Sequence, residues 1–251
     1  MKHFFLFASL SLLLALSMTA FGQDRQQLTR LSLKSTVLSE ERIVFVRTPP
    51  GYERNGRRYP VLYLTDAEAQ MDHTVTTIDF LARNGRIPEL IVVGITNTDR
   101  TRDLTPTHAA FGGGQPLPTS GGADKFLKFI ETELIPSIES DYRTQPYRIF
   151  AGHSFGGLFA LHTLMTRSEV FNAYIAVSPT MHWDNNLPLR EAETFGKDRK
   201  EANRTLFVTM SNEGEEMVGG FDRFKKLLAK QAPKHFTWDA MYLEDEDHGS
   251  A

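Results

Sequence analysis

"IFAGHSFGGLFALHTLM" (149–165) reads as an apolar strand that breaks at a glycine and resumes as a helix. A simple turn needs one glycine, yet Gly152, Gly156 and Gly157 surround a polar Ser154 here. Crowding explains them. In a G-x-S-x-G turn the serine sits on a sharp, strained bend, and neighbouring backbone excludes side chains larger than hydrogen. The bend lifts the Ser154 hydroxyl clear of the sheet and aims the free N–H groups of the helix start at the same space. A serine that only caps the helix is the alternative reading. The strand–turn–helix setting favours a nucleophile.

The flanking sequence repeats this alternation. Apolar strand segments stand at 42–52, 57–66, 89–98, 147–152, 171–179, 205–211 and at the start of 236–250. Helical spacing occupies 71–85, 123–142, 156–167 and 221–232. Strands alternating with helices imply a mostly parallel, doubly wound α/β sheet with helices on both faces. No internal repeat or linker divides the chain, so 23–251 is read as one domain. The Gly/Pro-rich stretch 103–124 reads as a long loop, functional or disordered.

Composition removes several classes of function. The chain has 251 residues, a formal net charge of −3 and no dense basic run, which argues against a nucleic-acid partner. It has no cysteine, so disulfides, thiolate metal sites and cysteine nucleophiles are excluded. Residues 1–22 have a basic start, an apolar run and a small-residue end at Ala20 and Gly22, the pattern of a signal peptide cut before Gln23. The mature protein is expected to be exported, periplasmic or extracellular, and free of the membrane.

A nucleophilic serine needs a base and an acid. His248, in "EDEDHGS" after the last strand, fits the chain order Ser…Asp/Glu…His. His3 falls in the signal segment, His162 lies within a helix, and His153 adjoins the serine. The acid is expected after the strand 205–211, where "NEGEEM" offers Glu213, Glu215 and Glu216, and spacing does not choose among them. Ligands of open α/β sheets bind outside the carboxyl ends of strands, which brings in Arg100 and Arg102 as substrate-binding candidates. Trp183 in "MHWDN" is a candidate for stacking on a ring, or else a buried packing residue. Asp66, Asp72 and His73 lack metal-site spacing, and neither metal nor cofactor is expected.

The stretches "PVLYLTDAE", "IPELIVVGITNTDRTRDLTP", "IFAGHSFGG", "IAVSPTMHWDN", "NEGEEM" and "DEDHGS" carry a resemblance across the whole mature chain. It resembles the esterase family of α/β-hydrolases that includes esterase D, the enterobactin-type siderophore esterases and the mycolyltransferase antigens. The resemblance implies an α/β-hydrolase fold and hydrolysis of a small-molecule carboxylic ester through an acyl-enzyme, with Ser154 as nucleophile and His248 as base. It points to Glu215 as the acid and to the backbone N–H groups of Phe155 and Glu68 as the oxyanion hole. Siderophore and acyl-sugar esters fall within its substrate range. The chain departs from the pattern at Ala67 and Ser211, where relatives carry glycine, and at Ala251, beyond which relatives continue into a closing helix. One sheet face is therefore expected to be uncovered. The alternative on the same fold is an impaired or non-catalytic secreted binding domain.

Overall fold

The computed structural model describes residues 28–112 and 115–251. The expected signal segment lies outside these residues. Eight strands form one sheet: β1 (Leu28–Ser35), β2 (Glu40–Arg47), β3 (Tyr59–Leu64), β4 (Ile91–Ile95), β5 (Thr144–His153), β6 (Ala173–Val177), β7 (Thr205–Ser211) and β8 (Thr237–Leu243). Their spatial order is β1-β2-β4-β3-β5-β6-β7-β8. β1 and β2 pair antiparallel, as do β2 and β4, and every other neighbouring pair is parallel. Burial follows position. Every residue of β3 and β4 is buried, as central parallel strands covered on both faces require, whereas β1 alternates exposed and half-buried residues.

The helices are α1 (Ala67–Arg83), α2 (Arg100–Leu104), the continuous helical run 123–141 (α3), α4 (Phe155–Arg167), α5 (Trp183–Asp198) and α6 (Glu215–Gln231). α3 to α6 cover one face. Their core there includes a run of aromatic rings, with Phe126, Phe159, Phe150 and Phe171 in successive ring contacts of 5.4, 5.3 and 5.1 Å. Rings at such separations add an edge and face attraction to the area they bury. α1 packs on the other face through Met71 and Ile78, against Leu62, Leu64 and Val92. Beside it lies an open apolar groove of about 680 Å³, lined by Leu62, Leu64, Ile149 and Ile175 among others.

The order β4-β3-β5 marks where the chain reverses its direction across the sheet, and a crevice opens there outside the carboxyl ends of β3 and β5. Leu64 pairs with Ala151, so the residues after each strand meet at the crevice. Asp66 and Ser154 both emerge at that point. Among the described residues no helix is long and apolar enough to cross a membrane.

Candidate active site

The elbow is built by close approach. A Cβ on Gly152 would stand 2.4 Å from the Gly156 backbone, and one on Gly156 would stand 2.5 Å from Thr65 Oγ1. Ser154 between them adopts φ 60°, ψ −116°, a region that costs a non-glycine residue about 1–3 kcal/mol. Its own backbone is tied down on both sides. The Ser154 N–H donates to the Val177 carbonyl at 3.0 Å, and its carbonyl accepts from Leu158 N at 2.9 Å. Among the described residues, neither the Ser154 hydroxyl nor the amides of Phe155 and Glu68 make a hydrogen bond. Those amides belong to the first turns of α4 and α1, where helix geometry leaves N–H groups free.

His248 stands beside this elbow. Its ring lies 4.6 Å, centroid to centroid, from that of His153, the residue before the serine. Its Nδ1 donates to Glu213 Oε2 at 2.6 Å. A carboxylate that only accepts places a proton on Nδ1, and Nε2 has no hydrogen-bond partner among the described residues. The imidazole is 45% exposed and the Glu213 side chain only 9%, so the base is reachable while its partner is sheltered. In the resting arrangement no hydrogen bond joins serine and imidazole. Catalytic bonds of this kind commonly close only around substrate.

The segment that carries His248 is held by its own turn. The Asp247 carboxylate accepts the amides of Gly249 at 2.8 Å and Ser250 at 3.1 Å, bonds that hold its carboxyl below the usual range. Asn212 N donates to the Glu246 carbonyl at 2.9 Å, so the loops after β7 and β8 are stitched together. The basicity of His153 is lowered, first by burial and then by the charge of the neighbouring His248.

The structure corrects the choice of acid. Glu213 lies in the loop directly after β7 and reaches His248, whereas Glu215 and Glu216 form the exposed first turn of α6. Acidic residues there complement the positive end of the helix dipole. The helix begins at Glu215, six residues before the stretch that its apolar spacing indicates.

The two arginines part company. Arg100 lies at the crevice: its Nε and Nη2 donate to the Asp66 carboxylate at 2.7 and 3.1 Å, and Nη2 also reaches the His153 carbonyl at 3.3 Å. Its guanidinium lies 5.2 Å over the Phe155 ring. Asn97 Nδ2 joins the same Asp66 carboxylate at 2.7 Å, and Asn97 N donates to Glu68 Oε1 at 2.8 Å. Arg102 does not face the crevice. It donates to Glu40 and Asp103, beside the buried Arg42, and these bonds raise its pKa further above the ordinary arginine range. Positions i and i+2 of a helical turn point away from each other, which is why one faces the site and the other the scaffold.

Trp183 is also corrected. It is 4% exposed, packs edge-on against Phe155 at 5.4 Å and donates Nε1–H to Thr107 Oγ1 at 3.0 Å. No face of its ring is open for stacking on a ligand. Asp66 is engaged by Arg100 and Asn97, while Asp72 and His73 are exposed on α1. Among the described residues no three His, Asp or Glu side chains gather as a metal site.

A family model described as "Putative esterase" matches residues 35–246. The ferri-bacillibactin esterase BesA of Bacillus subtilis is 35% identical over 170 residues, which is 61% of this chain and 58% of that protein. The siderophore enterobactin esterase of Emericella nidulans is 33% identical over 165 residues, 57% of this chain and 53% of that protein. The chain thus spans little more than half the length of these two curated relatives. Among solved structures, an IroE-like serine hydrolase from Shewanella oneidensis matches with a TM-score of 0.85 at 35% identity, over 89% of this chain and 76% of that one.

Proposed function

This chain belongs to the "Putative esterase" family, and from that premise we propose that it hydrolyses carboxylic esters through Ser154, His248 and Glu213. The observation that carries the proposal is the His248–Glu213 pair beside the elbow, with Nδ1 engaged and Nε2 free. As Ser154 Oγ attacks the ester carbonyl, Nε2 accepts its proton, and Glu213 stabilises the imidazolium that forms. The carbonyl oxygen gains negative charge and is met by the amides of Phe155 and Glu68, preorganised donors whose value is greatest in a site sheltered from water. Collapse of the tetrahedral intermediate breaks the C–O bond of the leaving group. The imidazolium returns its proton to that alkoxide, releasing the alcohol and leaving Ser154 acylated. Water then repeats the sequence, with His248 again as base, and frees the acid.

The proposed substrates are siderophore esters, in line with the named activities of the relatives. Arg100 is the proposed contact for their polar groups, because its planar fork suits carboxylate, phenolate and carbonyl oxygens. The test is a panel of p-nitrophenyl acetate, butyrate and octanoate beside enterobactin, with the purified protein and its Ser154→Ala variant. The siderophore ester is expected to give the highest kcat/KM, and Ser154→Ala is expected to abolish turnover of all four. Turnover that survives the substitution overturns the nucleophile. A preference for octanoate overturns the substrate class. Export is the remaining part of the proposal: the exported form is expected to begin at Gln23, and N-terminal sequencing that recovers Met1 there overturns it.

A further inference from the structure

Behind the His248–Glu213 pair a chain of hydroxyls continues into the protein, and its hydrogen atoms can be assigned. Glu213 Oε1 accepts the hydroxyl of Ser211, the last residue of β7. That donation commits the only proton on Ser211 Oγ. The Ser178 hydroxyl lies 2.9 Å from Ser211 Oγ and must therefore be the donor in that contact. Ser178 Oγ in turn accepts the Ser211 backbone N–H at 3.2 Å. Both hydroxyl donors in the relay are spent in one direction, towards Glu213. Ser178 and Ser211 are both 0% exposed, so water has no access to replace either hydroxyl. Ser178 holds this place with φ 42°, a left-handed conformation that its neighbours must stabilise.

We propose that Ser211 is a positioning residue for ester hydrolysis, one that acts through Glu213 and never touches substrate. Its hydroxyl fixes Oε1, which turns Oε2 to the Nδ1–H of His248. It also gives Oε1 a buried donor, so that Oε2 is left to hold the imidazole tautomer. Ser178 is the second link, keeping the Ser211 proton pointed at Glu213. The inference rests on the reading of Ser154, His248 and Glu213 as the hydrolytic site. The competing role for Ser211 is purely structural, a buried hydroxyl satisfied at a strand end, and that role would be felt in stability alone.

The experiment is a double-mutant cycle on p-nitrophenyl acetate with the full chain. Ser211→Ala is expected to lower kcat about ten- to a hundredfold, the worth of one hydrogen bond to a charged acceptor, and to leave KM within about twofold. In a Glu213→Gln background the same change is expected to lower kcat no further, because the carboxylate it serves is gone. Equal losses in the two backgrounds, or an unchanged kcat in folded Ser211→Ala, overturn the proposal. If Ser211→Ala does not fold, Ser178→Ala carries the test. It is expected to lower kcat about two- to fivefold, as a neutral hydrogen bond would, and the loss is again to vanish without Glu213. Absence of that loss overturns the relay. The two levels separate in the wild-type protein: no turnover and no labelling of Ser154 by a fluorophosphonate brings down the hydrolytic reading itself, whereas an active enzyme indifferent to Ser211 brings down only this inference.

Discussion

Two histidines among the described residues sit against carboxylates. His248 meets one, Glu213, through Nδ1, and its ring is 45% exposed. His162 meets two, with Nδ1 at 2.7 Å from Glu191 and Nε2 at 3.0 Å from Asp124, and its side chain is 7% exposed. Burial alone would lower the basicity of His162, yet the hydrogen bonds to Asp124 and Glu191 outweigh it and raise its pKa to about 9. At neutral pH it is an imidazolium clamping α3, α4 and α5 together. The difference lies in the second nitrogen. Where that nitrogen has a carboxylate partner the ring is a cation that holds helices. Where it has none and a serine stands nearby, the ring is the one proposed here as the base.

Exchanging each imidazole for an amide breaks the comparison most sharply. His248→Gln is expected to lower kcat by about 10⁴–10⁶-fold with little change in Tm, because an exposed ring leaves few contacts behind. His162→Gln is expected to do the reverse, costing about 2–3 kcal/mol of stability through the stranded Glu191 carboxylate while kcat at 25 °C stays within about threefold. Denaturant melts beside initial rates check both, and a severe activity loss in folded His162→Gln would erase the distinction.

A smaller effect sharpens it through pH. The folded-state pKa of His162 is raised from the ordinary 6.5 to about 9. Its contribution to stability is therefore fully present below pH ~6.5 and is lost as the pH rises through about 9. The loss amounts to about 3 kcal/mol over that window. Urea melts from pH 6 to 10 should show this decline in the wild type and a flatter curve in His162→Gln. Parallel curves would mean that His162 is not charged in the folded protein.

Much of this was legible in the sequence, and the omissions have identifiable physical causes. The elbow is written in three glycines, each fixed by local crowding, and β7 runs over the residues that its apolar pattern marks. β1 does not stand out from the sequence despite its alternation Leu-Thr-Arg-Leu-Ser-Leu-Lys, because a half-buried edge strand carries too little apolar surface. α2 is a single turn opened by the Asp99 cap, and α5 contains Pro188 and a left-handed turn at Asp184, Asn185 and Asn186, so neither shows helical spacing. Spacing does not show that Glu213 is the acid that pairs with His248, because this depends on where α6 begins. Gly214, at φ 86°, and the paired acids after it are the local signals of that start. Nothing in the spacing of Asn212 and Glu246 reveals that their loops are bonded, nor that Ser178 lies behind Ser211. Such contacts are made by the sheet, which brings together segments more than thirty residues apart.

The most direct measurement is the rate at which a fluorophosphonate labels Ser154, followed by intact mass and peptide mapping. Phosphonylation requires an activated serine, an oxyanion site and a base, so it reads the whole arrangement without knowledge of the natural ester. The adduct is expected on Ser154 alone and is expected to be absent in Ser154→Ala. Its rate should fall about 10³–10⁴-fold in Glu213→Gln and stay within about threefold of wild type in Glu215→Gln. Labelling of another residue, or a slow rate in Glu215→Gln beside a normal one in Glu213→Gln, would contradict the account.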